Sequence, residues 1–348
     1  MGATGATDPA TSPERRADGR PATIYDVARA AEVSHQTVSR FIRGDDRIRP
    51  QTRERVEAAM AALDYRMNLT ARSLRTRRSN RIAALTHDIA QVGPSKTAQG
   101  ASNAAREAGY LLDFVSLDFR DRTAVDDALE LIARQDLAGV LALSATDEVA
   151  EAFAGMRFHA PAFIVTEDDE PRPEAPITAP AIGLRAAVAH LAELGHRRIF
   201  HIAGPDGWRS ARNRAAAYRR ELARHGLEPA GEAPGDWSSA SGYAAAAAVP
   251  RGATAVIAAN DQMALGAILA FEERGRRVPD DISIIGFDGI AESAYFRPPL
   301  TTIQQDFEQQ GRRAFAQLLL LLDGPDSADV PPERAELIVR SSTAPPPS

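Results

Sequence analysis

The chain has 348 residues, of which 44% are hydrophobic and 25% are charged, with a formal net charge of −6 and no cysteine. This length exceeds that of one ordinary domain and predicts two or three folding units with enough apolar surface to form cores. The absence of cysteine excludes disulfides, thiolate metal ligands and a cysteine nucleophile, and it is consistent with a reducing compartment.

Segment 1–20 has no apolar stretch of the kind found in signal peptides and is rich in Gly, Pro, Thr and charged residues. We predict a disordered tail here. The nearest approach to a membrane span, Phe315 to Leu322, is much shorter than the ~18 residues that a span requires, and it contains Gln317. The sequence therefore predicts a cytoplasmic protein with no membrane partner.

The charge is distributed unevenly along the chain. Between Arg20 and Arg81 there are 14 arginines and no lysine against 7 acidic residues, so this segment carries +7 and the remainder carries −13. A basic module beside an acidic body is typical of phosphate-backbone binding at one end, with the body repelled from DNA. An arginine-rich solvated face is the alternative that charge alone leaves open.

The segment TIYDVARAAEVSHQTVSRFIR, residues 23–43, predicts two short helices joined by a tight turn. Thr23 and Asp26 form a capping-box-like start for the first helix, and Ser34 can cap the second. Val38 lies on the apolar side of the second helix. The arrangement matches a helix-turn-helix, whose second helix offers base-reading side chains to the major groove. The polar side of that helix consists of His35, Gln36, Ser39 and Arg40.

Gln36 and Arg40 are the strongest candidates for base contacts, because Gln can pair bidentately with adenine and Arg with guanine. The alternative is an amphipathic helix pair with an ordinary polar face. A third helix that starts at Pro50 and carries Val56 and Met60 at helical spacing completes a small core.

These segments, together with TRERVEAAMAALDY and ARSL, resemble the headpiece and hinge of the LacI/GalR family of transcription regulators. The resemblance implies that a hinge at 67–80 becomes helical on operator DNA and inserts Leu74 into the minor groove. At Met67 the family usually has a proline, so we expect a less rigid start to the hinge. The implied DNA-binding residues are Thr23, Ile24, Tyr25, Ser34, His35, Gln36, Thr37, Ser39, Arg40, Arg47, Asn68, Ala71 and Leu74.

From Arg81 onward, short apolar runs such as GVLAL and ISIIGFD alternate with helical stretches. This alternation predicts two βαβ lobes with parallel sheets, whose ligands bind beyond the carboxyl ends of the strands. Arg214, Asn260 and Asp288 there can donate to and accept from the adjacent hydroxyls of a polyol. Trp237 offers a face on which a pyranose can pack. The alternatives are an ordinary aromatic for Trp237 and a turn or helix cap for Asp288.

The stretches GDWSSASGY, ANDQMALGA and PPLTTIQQDF extend the resemblance over residues 23–342, to sugar-responsive members of the family. It implies an N-terminal all-α helix-turn-helix domain plus an α/β periplasmic-binding-protein-like core of two doubly wound parallel-sheet lobes. Thr166 stands where such members have an aspartate, so the sugar is expected to differ in a hydroxyl, a glycosidic substituent or a phosphate. The implied effector-binding residues are Pro94, Ser95, Thr166, Ser210, Arg214, Trp237, Asn260, Asp288, Gln305 and Phe307.

The expected function is repression of sugar-utilisation genes, with release from operator DNA when a sugar binds, a β-galactoside being the first expectation. A homodimer is expected, because operators are palindromic and the C-terminal RSSTAPPPS has no heptads that would build a tetramer. The predicted boundaries are 1–20 (tail), 21–66 (helix-turn-helix), 67–80 (hinge), 81–342 (core) and 343–348 (tail), with lobe one at about 81–178 and 307–334 and lobe two at about 179–306 and 335–342.

Two other functions remain open at this stage. A transport-type sugar-binding protein shares the core architecture but has no DNA-binding headpiece, and a co-repressor-dependent regulator binds DNA better with its ligand. An enzyme is disfavoured, because the sequence lacks GxSxG, P-loop, HExxH and GxGxxG motifs and His196 is more simply structural. No metal or cofactor is expected.

Overall fold

The computed structural model describes residues 22–42, 45, 47–65, 79–144, 146–166, 179–330 and 334–347. The chain forms two compact units, residues 1–78 and 79–348. The predicted tail 1–20 and the predicted hinge contacts Asn68, Ala71 and Leu74 lie outside the described residues.

The first unit is helical, as predicted. Its described helices are α1 (Ile24–Ala30), α2 (His35–Ile42) and α3 (Pro50–Ala62). The capping box is confirmed, since Thr23 N donates to Asp26 Oδ2 at 3.0 Å and Asp26 N donates to Thr23 Oγ1 at 3.4 Å. Ser34 caps α2 by accepting from Thr37 N at 3.1 Å. Pro50 occupies the first turn of α3, where no intrahelical N–H is lost.

Each of these helices contributes a completely buried valine to one small core: Val27, Val38 and Val56. Helices this short are marginal in isolation. Their stability therefore comes from packing against one another, which sets the orientation of α2.

The first lobe of the second unit contains a parallel sheet in the order β2-β1-β3-β4. Its strands are β1 (Arg81–His87), β2 (Leu111–Leu117), β3 (Gly139–Ala142) and β4 (Ala162–Ile164). The helices between them are α4 (Val92–Glu107), α5 (Arg122–Ala133) and α6 (Asp147–Gly155).

The second lobe contains a sheet in the order β10-β9-β8-β7-β5-β6. Its strands are β5 (Arg198–Ala203), β6 (Glu228–Pro234), β7 (Ala255–Ala258), β8 (Ser283–Asp288), β9 (Thr301–Gln305) and β10 (Ala335–Ile338). Its helices are α7 (Ala179–Glu193), α8 (Arg209–Arg224), α9 (Ser239–Ala245) and α10 (Asp261–Glu273). The two predicted α/β lobes are confirmed, with one difference: edge strand β10 runs antiparallel to β9.

Helix α11 (Phe307–Asp323) follows a strand of the second lobe but packs on α4 of the first. Glycines permit this approach, since a Cβ on Gly100 would lie 2.0 Å from the Glu308 carbonyl oxygen and one on Gly311 would lie 1.9 Å from that of Thr97. The chain then returns to the second lobe as β10. The carboxyl ends of strands from both sheets consequently border one cleft. None of the helices in the described ranges is long and apolar enough to cross a membrane.

Candidate functional site

A cavity of about 440 Å³ lies in this cleft and is lined by both lobes. Its volume is within the range of small-molecule pockets, about 300–1,000 Å³. Ser95 is exposed on α4 and does not line the cavity, because a helix turns by about 100° from the lining Pro94 to the next residue. The other nine predicted effector residues line it: Pro94, Thr166, Ser210, Arg214, Trp237, Asn260, Asp288, Gln305 and Phe307.

Arg214 of α8 is a buried cation with only 7% of its surface exposed. Its Nη1 is 3.5 Å from Asp288 Oδ1 and donates to the Ala259 carbonyl, and its guanidinium carbon lies 3.9 Å from the centroid of the Phe287 ring. Its Nε is buried without a partner in the described part of the chain. Because a buried donor without a partner is costly, this N–H is suited to a ligand oxygen.

Asp288 ends β8 with a φ of 103°, in the left-handed region that an aspartate tolerates better than most residues. Gln305 Nε2 donates to its Oδ1 at 2.8 Å, and Gln310 Nε2 donates to Gln305 Oε1 at 3.1 Å. Burial raises the pKa of Asp288 to about 6, against the opposing effects of the Arg214 charge and the Gln305 hydrogen bond. The carboxylate is therefore mainly ionised at neutral pH and can accept from sugar hydroxyls.

Trp237 and Asn260 also line the cavity. Asn260 Oδ1 accepts from Met263 N at 2.8 Å and caps α10, while Asn260 Nδ2 donates to the Trp237 carbonyl at 2.9 Å. Asn260 is thus the N-cap of α10 as well as a lining residue. Trp237 has a φ of 73°, which is strained for a bulky residue, and a Cβ on Gly204 would lie 2.3 Å from its ring.

Among the lining residues that were not singled out from the sequence, three form one group of contacts: His87, Ser144 and Trp208. His87 Nδ1 is 2.8 Å from Ser144 Oγ, and the His87 and Trp208 ring centroids are 4.3 Å apart. Burial lowers the pKa of His87 to about 4, so its imidazole is neutral at physiological pH. The rule that ligands bind beyond the carboxyl ends of strands could have identified these residues. His87 ends β1, Ser144 follows β3 and Trp208 follows β5.

The predicted DNA-reading face is exposed in the first unit, with one correction. His35, Gln36 and Arg40 are exposed, and Tyr25 is 62% exposed with its ring 5.3 Å from that of His35. Ser39, predicted on the same polar side, is instead buried at 8% exposure. Ser39 is adjacent to Val38. Because α2 packs on two other helices, its buried face extends beyond its apolar residues and includes Ser39.

Asp45 forms ion pairs with two of the predicted DNA-binding arginines. Its Oδ2 accepts from Arg40 Nε at 2.9 Å, and its Oδ1 is 3.4 Å from Arg47 Nε. Hydrogen bonds from Arg40 and Arg47 lower the pKa of this carboxyl to about 2. Asp45 therefore stays ionised and orients both guanidinium groups at the C-terminal end of α2.

Comparison with protein families matches residues 23–68 to bacterial regulatory proteins of the lacI family and residues 188–343 to a periplasmic binding protein-like domain. Two curated relatives cover most of the chain. The lactose operon repressor of Escherichia coli (strain K12) is 36% identical over 88% of this chain and 86% of its own length. The HTH-type transcriptional repressor CytR of the same strain is 34% identical over 92% of this chain and 96% of its own length.

Two solved structures of transcription regulators also resemble this chain over most of its length. The lac repressor dimer bound to operator and the anti-inducer ONPF has a TM-score of 0.78 and 33% identity, and the match covers 93% of this chain and all of that one. The transcriptional regulator CelR in complex with cellobiose has a TM-score of 0.66 and 29% identity, over 92% of this chain and 99% of that one.

Proposed function

This chain belongs to the LacI family and is a DNA-binding transcriptional repressor, and we propose that a neutral glycoside, with a β-galactoside as the first candidate, releases it from its operator. Members of the family are transcriptional regulators rather than enzymes. The observation that carries the proposal is the convergence of Arg214, Asn260 and Asp288 with the Trp237 ring in one cavity. Polar groups that donate and accept in fixed directions beside an aromatic face suit a pyranose.

Ion pairing favours a neutral ligand over a sugar phosphate. Arg214 is paired with Asp288, and Arg209, a second lining arginine, is paired with Asp147 at 3.1 Å. A phosphate would have to compete with these carboxylates. Hydroxyl groups can use the remaining donor and acceptor positions without breaking either pair.

The relatives support a glycoside without specifying which one. The solved lac repressor complex contains ONPF, and the CelR complex contains cellobiose. Thr166, which is exposed and lines the cavity, is the lining residue at which we expect the preference to differ from that for a simple galactoside.

Release follows from linkage. A ligand that binds more tightly to the DNA-incompetent arrangement of the core must weaken operator affinity by the same coupling free energy. On the DNA side, we propose that His35, Gln36 and Arg40 contact bases. We also propose that the hinge residue Leu74 enters the minor groove. The remaining predicted contacts in the first unit, including Ile24, Thr37 and Arg47, position the unit on the phosphate backbone.

We propose a homodimer as the DNA-binding form, acting in the cytoplasm where its operator is. Leu265 and Leu269 are 40% and 50% exposed one turn apart on α10, so they form an apolar stripe. The solved lac repressor relative is a dimer on its operator, and a two-fold dimer matches a palindrome. A second copy of this chain is therefore the occupant that we assign to this stripe.

The test begins with a palindromic duplex selected from random-sequence DNA by the ligand-free protein. Fluorescence anisotropy then measures operator affinity with and without methyl β-D-galactopyranoside, methyl β-D-glucopyranoside and galactose 6-phosphate. We expect a neutral glycoside to weaken operator binding and to raise the melting temperature of the protein. Tighter DNA binding on adding the sugar would establish co-repression instead. A response to the sugar phosphate alone would contradict the neutral-ligand proposal.

A further inference from the structure

The chain has two tryptophans, Trp208 and Trp237, and both line the cavity. They belong to different environments. Trp237 packs with the core of the second lobe, and its ring centroid is 5.4 Å from the Arg214 guanidinium carbon. Trp208 packs with the core of the first lobe. The cavity therefore has two aromatic contact surfaces, one associated with each lobe.

Trp208 reaches the first lobe although it immediately precedes α8 of the second. Its ring centroid is 4.3 Å from that of His87 and 6.1 Å from that of Phe119, with the Phe119 and Trp208 rings stacked. This crossing places the indole beside the carboxyl ends of β1 and β2, since His87 ends β1 and Phe119 follows β2. Trp208 is only partly buried, which leaves part of the ring available to the cavity.

Polar contacts hold the segment 207–212 in this position. Asp147 N donates to the Gly207 carbonyl at 3.2 Å, and its carboxylate pairs with Arg209 Nε at 3.1 Å and Arg212 Nη1 at 2.8 Å. Asp147 does not line the cavity. The indole is thus preorganised by Asp147, which lies outside the ligand space, and this lowers the entropic cost of using it.

The polar groups that line the cavity at the ends of β1 and β3 are uncharged, and the charge of Arg209, the next residue in the chain, is paired with Asp147. Thr86, Ser144 and Thr146 provide hydroxyls, and His87 provides a neutral imidazole whose Nδ1 is engaged with Ser144 Oγ. An aromatic face with neutral donors and acceptors has the same chemistry as the Trp237 side, without its buried ion pair. A second pyranose ring matches that chemistry better than an anion or a purely apolar group.

We propose that the Trp208 wall, defined as His87, Ser144 and Trp208, is a second sugar subsite, and that the effector is a two-ring glycoside contacting Trp237 and Trp208 with successive rings. This inference rests on the proposed function, since it specifies the ligand of the same cavity. The cavity volume of about 440 Å³ lies in the general range of small-molecule pockets, about 300–1,000 Å³.

Isothermal titration calorimetry on the full chain compares lactose with methyl β-D-galactopyranoside, and cellobiose with methyl β-D-glucopyranoside. One of these pairs is expected to have a first ring that fits the Trp237 side of the cavity. In that pair we expect the disaccharide to bind about 10-fold more tightly than the one-ring glycoside, because the added aromatic contact contributes about 1.4 kcal/mol. Trp208→Ala should remove this gain and lower the affinity for the one-ring glycoside much less than that for the disaccharide. Trp208→Phe should retain part of it. His87→Ala supplies the same comparison if Trp208→Ala does not fold.

Asp147→Asn is the matched control, because it weakens the pairs with Arg209 and Arg212 without removing a lining side chain. It should retain part of the disaccharide gain, because the indole remains in the cavity although its segment is held less firmly. Loss of the gain in Asp147→Asn to the same extent as in Trp208→Ala would mean that Trp208 acts by joining the lobes, and would overturn the subsite. Equal wild-type affinity for one-ring and two-ring glycosides would overturn the subsite alone. No binding of any glycoside would overturn the proposed function as well.

Discussion

The guanidinium carbon of Arg214 lies 3.9 Å from the centroid of the Phe287 ring, while its Nη1 is 3.5 Å from Asp288 Oδ1. A planar cation can stack on an aromatic ring and keep its N–H groups in the plane for other partners. The stack thus holds Arg214 in one orientation with its carboxylate partner. Ligand binding through Arg214 depends on this orientation.

Arg214→Lys should lower effector affinity about 10-fold to 100-fold, because hydrogen bonds to charged groups contribute about 1.5–3 kcal/mol and an ammonium neither stacks nor presents a planar set of donors. Operator affinity without effector should not change. Calorimetry and anisotropy measure the two affinities. Arg224→Lys, on the same helix and half-exposed beside Glu221, is the control and should bind effector normally.

Gly204→Ala should weaken effector binding by displacing Trp237, since the new Cβ would lie 2.3 Å from the indole ring. Gly207→Ala is the matched control in the same loop, because a Cβ there meets no atom within 4 Å. We expect a loss of at least about 10-fold for the first variant and little change for the second, measured by calorimetry. Similar affinities for both variants would mean that the position of Trp237 does not determine binding.

Because of Asp261, the free energy of unfolding should fall as the pH rises through neutrality. Its carboxylate accepts from Thr302 Oγ1 at 2.5 Å and from Ile290 N at 2.8 Å, and burial raises its pKa to about 7. A carboxyl group whose pKa is higher in the folded than in the unfolded state stabilises the fold fully below its unfolded-state pKa. This contribution is lost as the pH rises through its folded-state pKa. Asp288, with a pKa of about 6, acts in the same direction.

Urea unfolding of ligand-free protein between about pH 5 and pH 8 tests this dependence. Asp261→Asn should unfold with a shallower decline in stability over that range than wild type. The control is Asp281→Asn, because hydrogen bonds from Arg277 lower the pKa of Asp281 and place its titration below the range. An unchanged slope in Asp261→Asn would show that this carboxyl does not titrate there.

Gln36→Ala should reduce operator affinity by about 1–3 kcal/mol and relax the preference at one base pair, because a bidentate amide contact to adenine is lost. Affinity for unrelated duplex DNA should stay the same, since it depends on phosphate contacts. Gln51→Ala, another exposed glutamine of the same unit, is the control. Anisotropy with substituted operators measures the effect, and an equal loss on all sequences would place Gln36 on the backbone.

Replacing Leu265 and Leu269 together by aspartate should convert the dimer to a monomer, because four charges would be buried at the two-fold contact of the stripe on α10. Light scattering measures the mass, and operator affinity should fall with it. Leu131→Asp is the control, as Leu131 is 63% exposed on α5 of the first lobe. A double variant that remains dimeric would place the interface elsewhere.

Local features of this protein were predictable from the sequence. The caps at Thr23 and Ser34 and the helix start at Pro50 depend on residues a few positions apart, so the pattern itself indicates them. The alternation of strands and helices likewise predicted two α/β lobes. Parallel strands align their carboxyl ends, so polar residues that follow strands were expected to meet. Nine of the ten effector-binding residues that the family resemblance implies line one cavity.

Only the tertiary structure decided features that depend on distant segments. Ser39 is buried because α2 packs in a three-helix core. The contact of Trp208 with His87 joins positions 121 residues apart in the numbering and on different lobes. No local pattern records such a pairing, since it arises from how the sheets and connections bring strand ends together.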